Sequence, residues 1–197
     1  LEKILEKLDK TSGLKKLESK TVAVQGFGNV GMHLARLLHE RGWKIIAVSN
    51  SEGGFYDQSR KGFDIPKIVA NYENDRLSKV AGRKVSNEEL LELPVDVLAP
   101  CALEKQITEK NAGKIKARVV LEMANAPTTP KADEMLFEKD IVVIPDILAN
   151  SGGVAVSYFE WVQNRQGHYW TEKEVNEKLE EKFDEAVFAV LAKTKRG

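Results

Sequence analysis

The stretch Thr21-Val22-Ala23-Val24-Gln25-Gly26-Phe27-Gly28-Asn29-Val30-Gly31 decides the fold. A short run rich in β-branched residues ends in glycines spaced Gly-x-Gly-x-x-Gly, and an amphipathic segment begins without a linker. This is the pattern of a strand that turns sharply into a helix over a dinucleotide's phosphates. Gly26 permits the tight turn, Gly28 lets the backbone approach the pyrophosphate, and Gly31 lets the helix lie close on the sheet. The junction offers backbone N–H groups and the positive end of a helix dipole, so the bound group is expected to be an anion.

The flanks agree with this reading. Val30, Leu34, Leu37 and Leu38, with Gly31 and Ala35, recur at helical spacing, and Gly42 follows as a stop signal. Lys44–Val48 reads as a second buried strand, completing a strand-helix-strand unit of roughly 30 residues. Beyond it, Ser51-Glu52-Gly53-Gly54 reads as a turn and Phe63 to Tyr72 as a helix. Ser86-Asn87-Glu88-Glu89 forms a capping box opening a short helix. Strands are expected over Val95–Pro100, Val119–Met123 and Ile141–Ile144, with helices around Thr108 to Ala112 and Lys131 to Phe137. Such alternation predicts an α/β fold, a Rossmann-like doubly wound, mostly parallel sheet with helices on both faces.

Three segments are expected: a leading helix and linker over 1–20, with Leu1, Ile4, Leu5 and Leu8 on one stripe; a dinucleotide-binding domain over 21–165; and a C-terminal helix within 166–197. Thr171 and Glu174 cap that last helix, and Val175, Leu179, Phe183, Val187, Val190 and Leu191 form a stripe that needs a surface to cover.

Composition narrows the function classes. Thirty basic residues balance thirty acidic ones, so no global field recruits nucleic acid or an anionic membrane. The single cysteine, Cys101, excludes an internal disulfide, and His33, His39 and His168 lack metal-ligand spacing. No metal is expected. Without a secretory signal pattern or an apolar run near ~18 residues, the expectation is a soluble, cytoplasmic protein. The first residue is not methionine, which suggests a piece of something longer.

Four further segments carry a resemblance: Val95-Asp96-Val97-Leu98-Ala99-Pro100-Cys101-Ala102, Ala124-Asn125-Ala126-Pro127-Thr128-Thr129-Pro130, Pro145-Asp146-Ile147-Leu148-Ala149-Asn150-Ser151-Gly152-Gly153-Val154 and Val156-Ser157-Tyr158-Phe159-Glu160-Trp161-Val162-Gln163-Asn164. With the glycine loop, they resemble the nucleotide-binding domain of the hexameric glutamate dehydrogenases, over about residues 15 to 195. The resemblance implies NAD(P)-dependent, reversible oxidative deamination of L-glutamate to 2-oxoglutarate and ammonia by hydride transfer. It also implies a separate substrate domain carrying the catalytic lysines, so no catalytic base is expected in this chain. The full-length protein would be a homo-hexamer, and the C-terminal helix would pack on the nucleotide domain or on the substrate domain.

Carried over residue by residue, the resemblance places Gly26, Gly28, Asn29, Val30 and Gly31 at the phosphates. Ala99, Pro100 and Cys101 fall on the adenosine side, Asn125 at a cofactor ribose, Asn150 near the nicotinamide carboxamide, and Ser157 at the distal carboxylate of glutamate. Each of the polar side chains also has a plainer reading: Asn125 and Asn150 as turn or cap residues, Ser157 as a back-bonded helix serine. Tyr158 and Trp161 are expected in the core, and Cys101 as a small buried hydrophobe.

Cofactor choice turns on Asn50 and Ser51. The fingerprint expects an acid ~20 residues past the glycines, where it takes the ribose hydroxyls. Asn50 holds that place, where the resembled family commonly has Ser-Asp-Ser. One such charge at ~4 Å and an effective dielectric of 20 would repel a phosphate by ~4 kcal/mol, so its absence removes a bar to NADP. Ser49 and Ser51 could donate to that phosphate. The expectation is use of both NAD and NADP with a slight lean to NADP, and Ala126, where the family often has glycine, is expected to leave its loop intact. The alternatives are a stand-alone nucleotide-binding sensor module, or a dehydrogenase of the leucine or phenylalanine type.

Overall fold

The computed structural model describes residues 17, 19–72, 77 and 80–194. The helix expected over the first eight residues lies outside them. The described residues fall into two compact units, the first running to Asp146 and the second starting at Ile147.

The first unit is built on a seven-stranded sheet: β1 (Thr21–Gln25), β2 (Lys44–Asn50), β3 (Gly53–Tyr56), β4 (Arg83–Val85), β5 (Val97–Pro100), β6 (Val119–Leu121) and β7 (Val142–Ile144). Their order in space is β4-β3-β2-β1-β5-β6-β7. β1 pairs parallel with both β2 and β5, and β5, β6 and β7 continue parallel. β3 and β4 pair antiparallel on the β2 side. The strand order reverses direction at β1, and the C-terminal ends of five parallel strands share one edge, where open α/β sheets hold ligands.

The helices are α1 (Asn29–Glu40), α2 (Ile65–Ala70), α3 (Asn87–Leu91) and α4 (Pro130–Glu138). Both faces of the sheet are covered. A Cβ added at Gly31 of α1 would stand 3.1 Å from Val24 Cγ1. On the opposite face, Ala23 and Leu98 pack in one buried cluster with Leu90 and Leu91 of α3 and Ala132 and Leu136 of α4. Alternate residues of β1 thus feed two helical layers, the arrangement that fully apolar strands require. The expected doubly wound, mostly parallel sheet is present.

Four local expectations need correction. Gly53 and Gly54 belong to β3, and the turn is confined to Ser51 and Glu52. Between Thr108 and Ala112 the chain makes a turn, followed by a single 3-10 turn at Ala112–Lys114. Lys139 Nζ donates to the carbonyls of Gly113 and Ile115, both at 2.7 Å, and so closes that turn from outside. On α1 only Gly31, Ala35 and Leu38 are buried, while Val30 and Leu37 are exposed. Tyr158 and Trp161, expected in the core, are both more than half exposed.

The boundary between the units falls in α5 (Asp146–Ala149). The second unit continues with α6 (Ser151–Gln166) and α7 (Glu172–Thr194), α6 ending at left-handed Gly167. Thr171 and Glu174 make the expected capping box, the Thr171 hydroxyl donating to Glu174 Oε2 at 2.8 Å and accepting from the Glu174 N–H at 3.3 Å. Gln163 Oε1 accepts the Trp170 N–H at 2.6 Å, and Trp170 meets Phe159 edge to face. Of the α7 stripe, Val187 alone is fully buried. No helix among the described residues is long and apolar enough to cross a membrane.

Candidate functional site

The glycine turn is held from two sides. Gly26 N–H and Phe27 N–H both donate to the Ser49 carbonyl, at 3.0 and 2.6 Å, and Cys101 N–H donates to the Gln25 carbonyl at 2.8 Å. The first contacts tie the turn to β2 and the last ties β1 to the segment after β5. Phe27, between two glycines, is completely buried, and its ring meets Tyr72 edge to face at 5.5 Å. It anchors the turn from below.

Each glycine has a distinct physical reason. Gly26 has φ +91°, and a Cβ there would stand 2.7 Å from Ala102 Cβ. A Cβ on Gly31 would collide with the Gly26 carbonyl oxygen. A Cβ on Gly28 would meet no atom of the described residues within 4 Å. Gly28 is therefore unnecessary for the fold itself, and its missing side chain leaves room on the outer surface of the turn. Gly28, Asn29 and Val30 are exposed.

Gly28 is the N-cap of α1, which has no side-chain capping bond and no acidic residue in its first turn. A helix start without these leaves N–H groups and partial positive charge for an outside acceptor. The cradle fits a pyrophosphate in both space and polarity.

The remaining candidates in the first unit lie along the same strand ends. Asn50 ends β2, and its Oδ1 accepts the Glu52 N–H at 3.0 Å, which bends the chain through exposed Ser51. Ala99 and Pro100 are buried at the end of β5, and the Pro100 carbonyl accepts the Met123 and Ala124 N–H groups at 3.2 and 2.9 Å. Asn125 follows β6 and is exposed. Cys101 is only partly exposed, and burial pushes its thiol up to about 12, which keeps it protonated and unreactive at neutral pH. Among the described residues no cluster of His, Cys, Asp and Glu could hold a metal ion.

Two carboxylates build the Asn125 loop. Asp146 N–H donates to Glu122 Oε2 at 3.0 Å, while Asp146 Oδ2 accepts the Ala126 N–H at 2.7 Å. Glu122 is nearly buried, and desolvation raises its pKa against the lowering effect of its hydrogen bonds. Ala126 has φ +43°, so this loop adopts the left-handed conformation that glycine takes at least cost.

Asn150 and Ser157 lie in the second unit. Asn150 is the N-cap residue of α6 without a side-chain capping bond. The Ser157 hydroxyl donates to the Gly153 carbonyl at 3.2 Å, one helical turn back.

Several determinants escaped sequence reading because they join distant residues. Ser49, offered above as a phosphate donor, is completely buried, and its hydroxyl donates to Asn87 Oδ1 at 2.7 Å, which removes it from any ligand. At the opposite strand ends, Asp96 Oδ2 accepts both the N–H and the hydroxyl of Thr21, at 2.9 and 2.8 Å, and Asp96 N–H returns a bond to Thr21 Oγ1 at 3.0 Å. The three bonds fix the register of β1 against β5.

All 197 residues match the model of the Glutamate/Leucine/Phenylalanine/Valine dehydrogenase family. The chain is 50% identical over 181 residues to an NADP-specific glutamate dehydrogenase of Synechocystis, covering 85% of this chain and 41% of that protein. It is 47% identical over 165 residues to the cryptic catabolic NAD-specific glutamate dehydrogenase of Bacillus subtilis, covering 83% and 38%. Among solved structures, the hetero-hexameric glutamate dehydrogenase of Thermus thermophilus superposes with a TM-score of 0.87 at 33% identity, over 98% of this chain and 45% of that one. That of Peptoniphilus asaccharolyticus superposes at 0.72 and 38% identity, over 96% and 44%. The chain thus spans about two fifths of the curated relatives it matches.

Proposed function

Since this chain belongs to the Glutamate/Leucine/Phenylalanine/Valine dehydrogenase family, we propose that it is the NAD(P)-binding part of a glutamate dehydrogenase. The whole enzyme converts L-glutamate, water and NAD(P)+ to 2-oxoglutarate, ammonium, NAD(P)H and a proton, reversibly. The bound dinucleotide supplies the hydride acceptor and donor. The chain's own residues bind and orient it: the Gly26–Gly31 turn at the pyrophosphate, Asn50 and Ser51 at the adenosine ribose, Ala99, Pro100 and Cys101 along the adenosine side, and Asn125 and Asn150 further along. Ser157 is the residue for the distal carboxylate of glutamate.

The observation that carries this reading is Gly28. Its lack of a side chain has no steric cause among the described residues, and it opens onto the acid-free start of α1. A pyrophosphate approaching the backbone gives the reason. Substrate glutamate is favoured by the names of the relatives at 47–50% identity. The catalytic base belongs to the remainder of the full-length protein, so the chain alone binds cofactor without turnover, and the full-length enzyme works as a cytoplasmic homo-hexamer.

The cofactor is NAD or NADP with a slight lean to NADP. Similar relatives include both specificities. Asn50 brings no charge against a 2′-phosphate, and its acceptor oxygen is engaged by Glu52 N–H. Calorimetric titration with both cofactors tests the reading: binding of each within a hundredfold of the other supports it, and a stronger preference for NAD contradicts the Asn50 argument.

A further inference from the structure

We infer that Asn87 is a positioning residue for the adenosine end of the cofactor, setting the discrimination between NAD and NADP through the turn Asn50–Glu52. The inference rests on the dinucleotide reading above and adds a residue that the glycine fingerprint does not point to.

Asn87 is the first residue of α3, 37 positions beyond Asn50, and both halves of its carboxamide are used on adjacent residues of β2. Its Oδ1 accepts the Ser49 hydroxyl at 2.7 Å, and its Nδ2 donates to the Asn50 carbonyl at 2.9 Å. The position of Asn50 explains the need. β1 pairs with β2 only as far as Gln25 opposite Ser49, so Asn50 extends past that ladder and has the short hairpin partner Gly53 on its other side. Asn87 adds a side-chain hydrogen bond to the backbone at that point.

Ser49 makes the support reach further. Its carbonyl accepts Gly26 N–H and Phe27 N–H of the phosphate turn while its hydroxyl donates to Asn87. One buried serine therefore joins the turn for the pyrophosphate to the turn for the ribose, and Asn87 holds that serine from the side.

Asparagine is the side chain this geometry requires, because it offers one acceptor and one donor on a short planar group. Aspartate would keep an acceptor for Ser49 but lose the donor to the Asn50 carbonyl, and would set a negative charge beside the turn. Such a charge opposes an added phosphate more than a ribose hydroxyl. Alanine would remove both bonds and leave the turn to its own Glu52 N–H bond and the hairpin pairing with Gly53.

The test measures affinities of the 197-residue chain, as wild type, Asn87→Asp and Asn87→Ala, for NADP, NAD and nicotinamide mononucleotide, which lacks the adenosine half. Asn87→Asp is expected to shift the NADP-to-NAD affinity ratio at least fivefold toward NAD. Asn87→Ala is expected to weaken both dinucleotides at least fivefold and leave the mononucleotide unchanged. An unaltered ratio in the first variant with unaltered affinities in the second overturns the inference. Equal losses for all three ligands with a lowered melting temperature assign Asn87 to the fold alone and overturn it as well. Wild-type protein that binds neither dinucleotide would instead fail the parent reading, and is recognised without any variant.

Discussion

The carboxylate of Asp146 accepts the backbone N–H of Ala126 at 2.7 Å, so a residue just beyond β7 fixes the loop that follows β6 and carries Asn125. The same Asp146 gives its own N–H to Glu122 at the root of that loop. The exposed Asn125 is thereby placed by two acidic side chains outside the ladder.

Ala126 holds this loop at φ +43°. The left-handed conformation costs an alanine ~1–2 kcal/mol, while glycine gives back ~0.4–1 kcal/mol through its freer unfolded chain. Ala126→Gly is therefore expected to raise stability by about 0.5–1 kcal/mol, read from the midpoint of urea unfolding. A lower midpoint would show that the loop needs the methyl group.

Glu122 gives the chain a pH dependence of known sign. Burial raises its folded-state pKa above the ordinary 4.5, and the charges of Asp146 and Asp133 add to that rise. The folded state then holds the proton more tightly than the unfolded one, so the Glu122 contribution to stability is complete below the ordinary value and declines as pH climbs through the raised one. Glu122→Gln keeps an acceptor for Asp146 N–H without the charge. Unfolding curves of the variant and wild type are expected to draw apart in the variant's favour as pH rises past 4.5, and a difference independent of pH would contradict this.

Asp96 serves the fold alone. Asp96→Ala leaves the buried N–H of Thr21 without an acceptor, a loss of ~1–3 kcal/mol. Asp96→Asn keeps one acceptor and is expected to lose less. The two denaturation midpoints check the order, and equal values would remove the hydrogen bond as the cause.

How much of this was legible in the sequence follows from range. The β1-turn-α1-β2 unit was readable because strand period, glycine spacing and helical period agree within about thirty residues. β3 and β4 were not, since Gly53-Gly54 carries a turn signature and each strand gains its pairing only from a neighbour in space. The exposure of Val30, Leu37, Tyr158 and Trp161 escaped for the complementary reason, as periodicity marks an apolar stripe without telling how wide its cover is. Of the candidate site, the glycine turn and the end of β2 at Asn50 were readable from spacing. Asn87, Asp96 and the burial of Ser49 depend on contacts 37 to 75 positions apart, which no local pattern carries.

Gly28→Ala tests the central claim most directly, because Gly28 has open space around its absent Cβ and an ordinary φ of −83°. Alanine is a poorer N-cap than glycine, so stability is expected to fall by no more than about 1 kcal/mol. Calorimetric titration of this folded variant with NADP and NAD should show affinity lowered at least about tenfold, equivalent to ~1.4 kcal/mol, for both. Unchanged affinity for the two dinucleotides would mean that their phosphates do not rest on this turn.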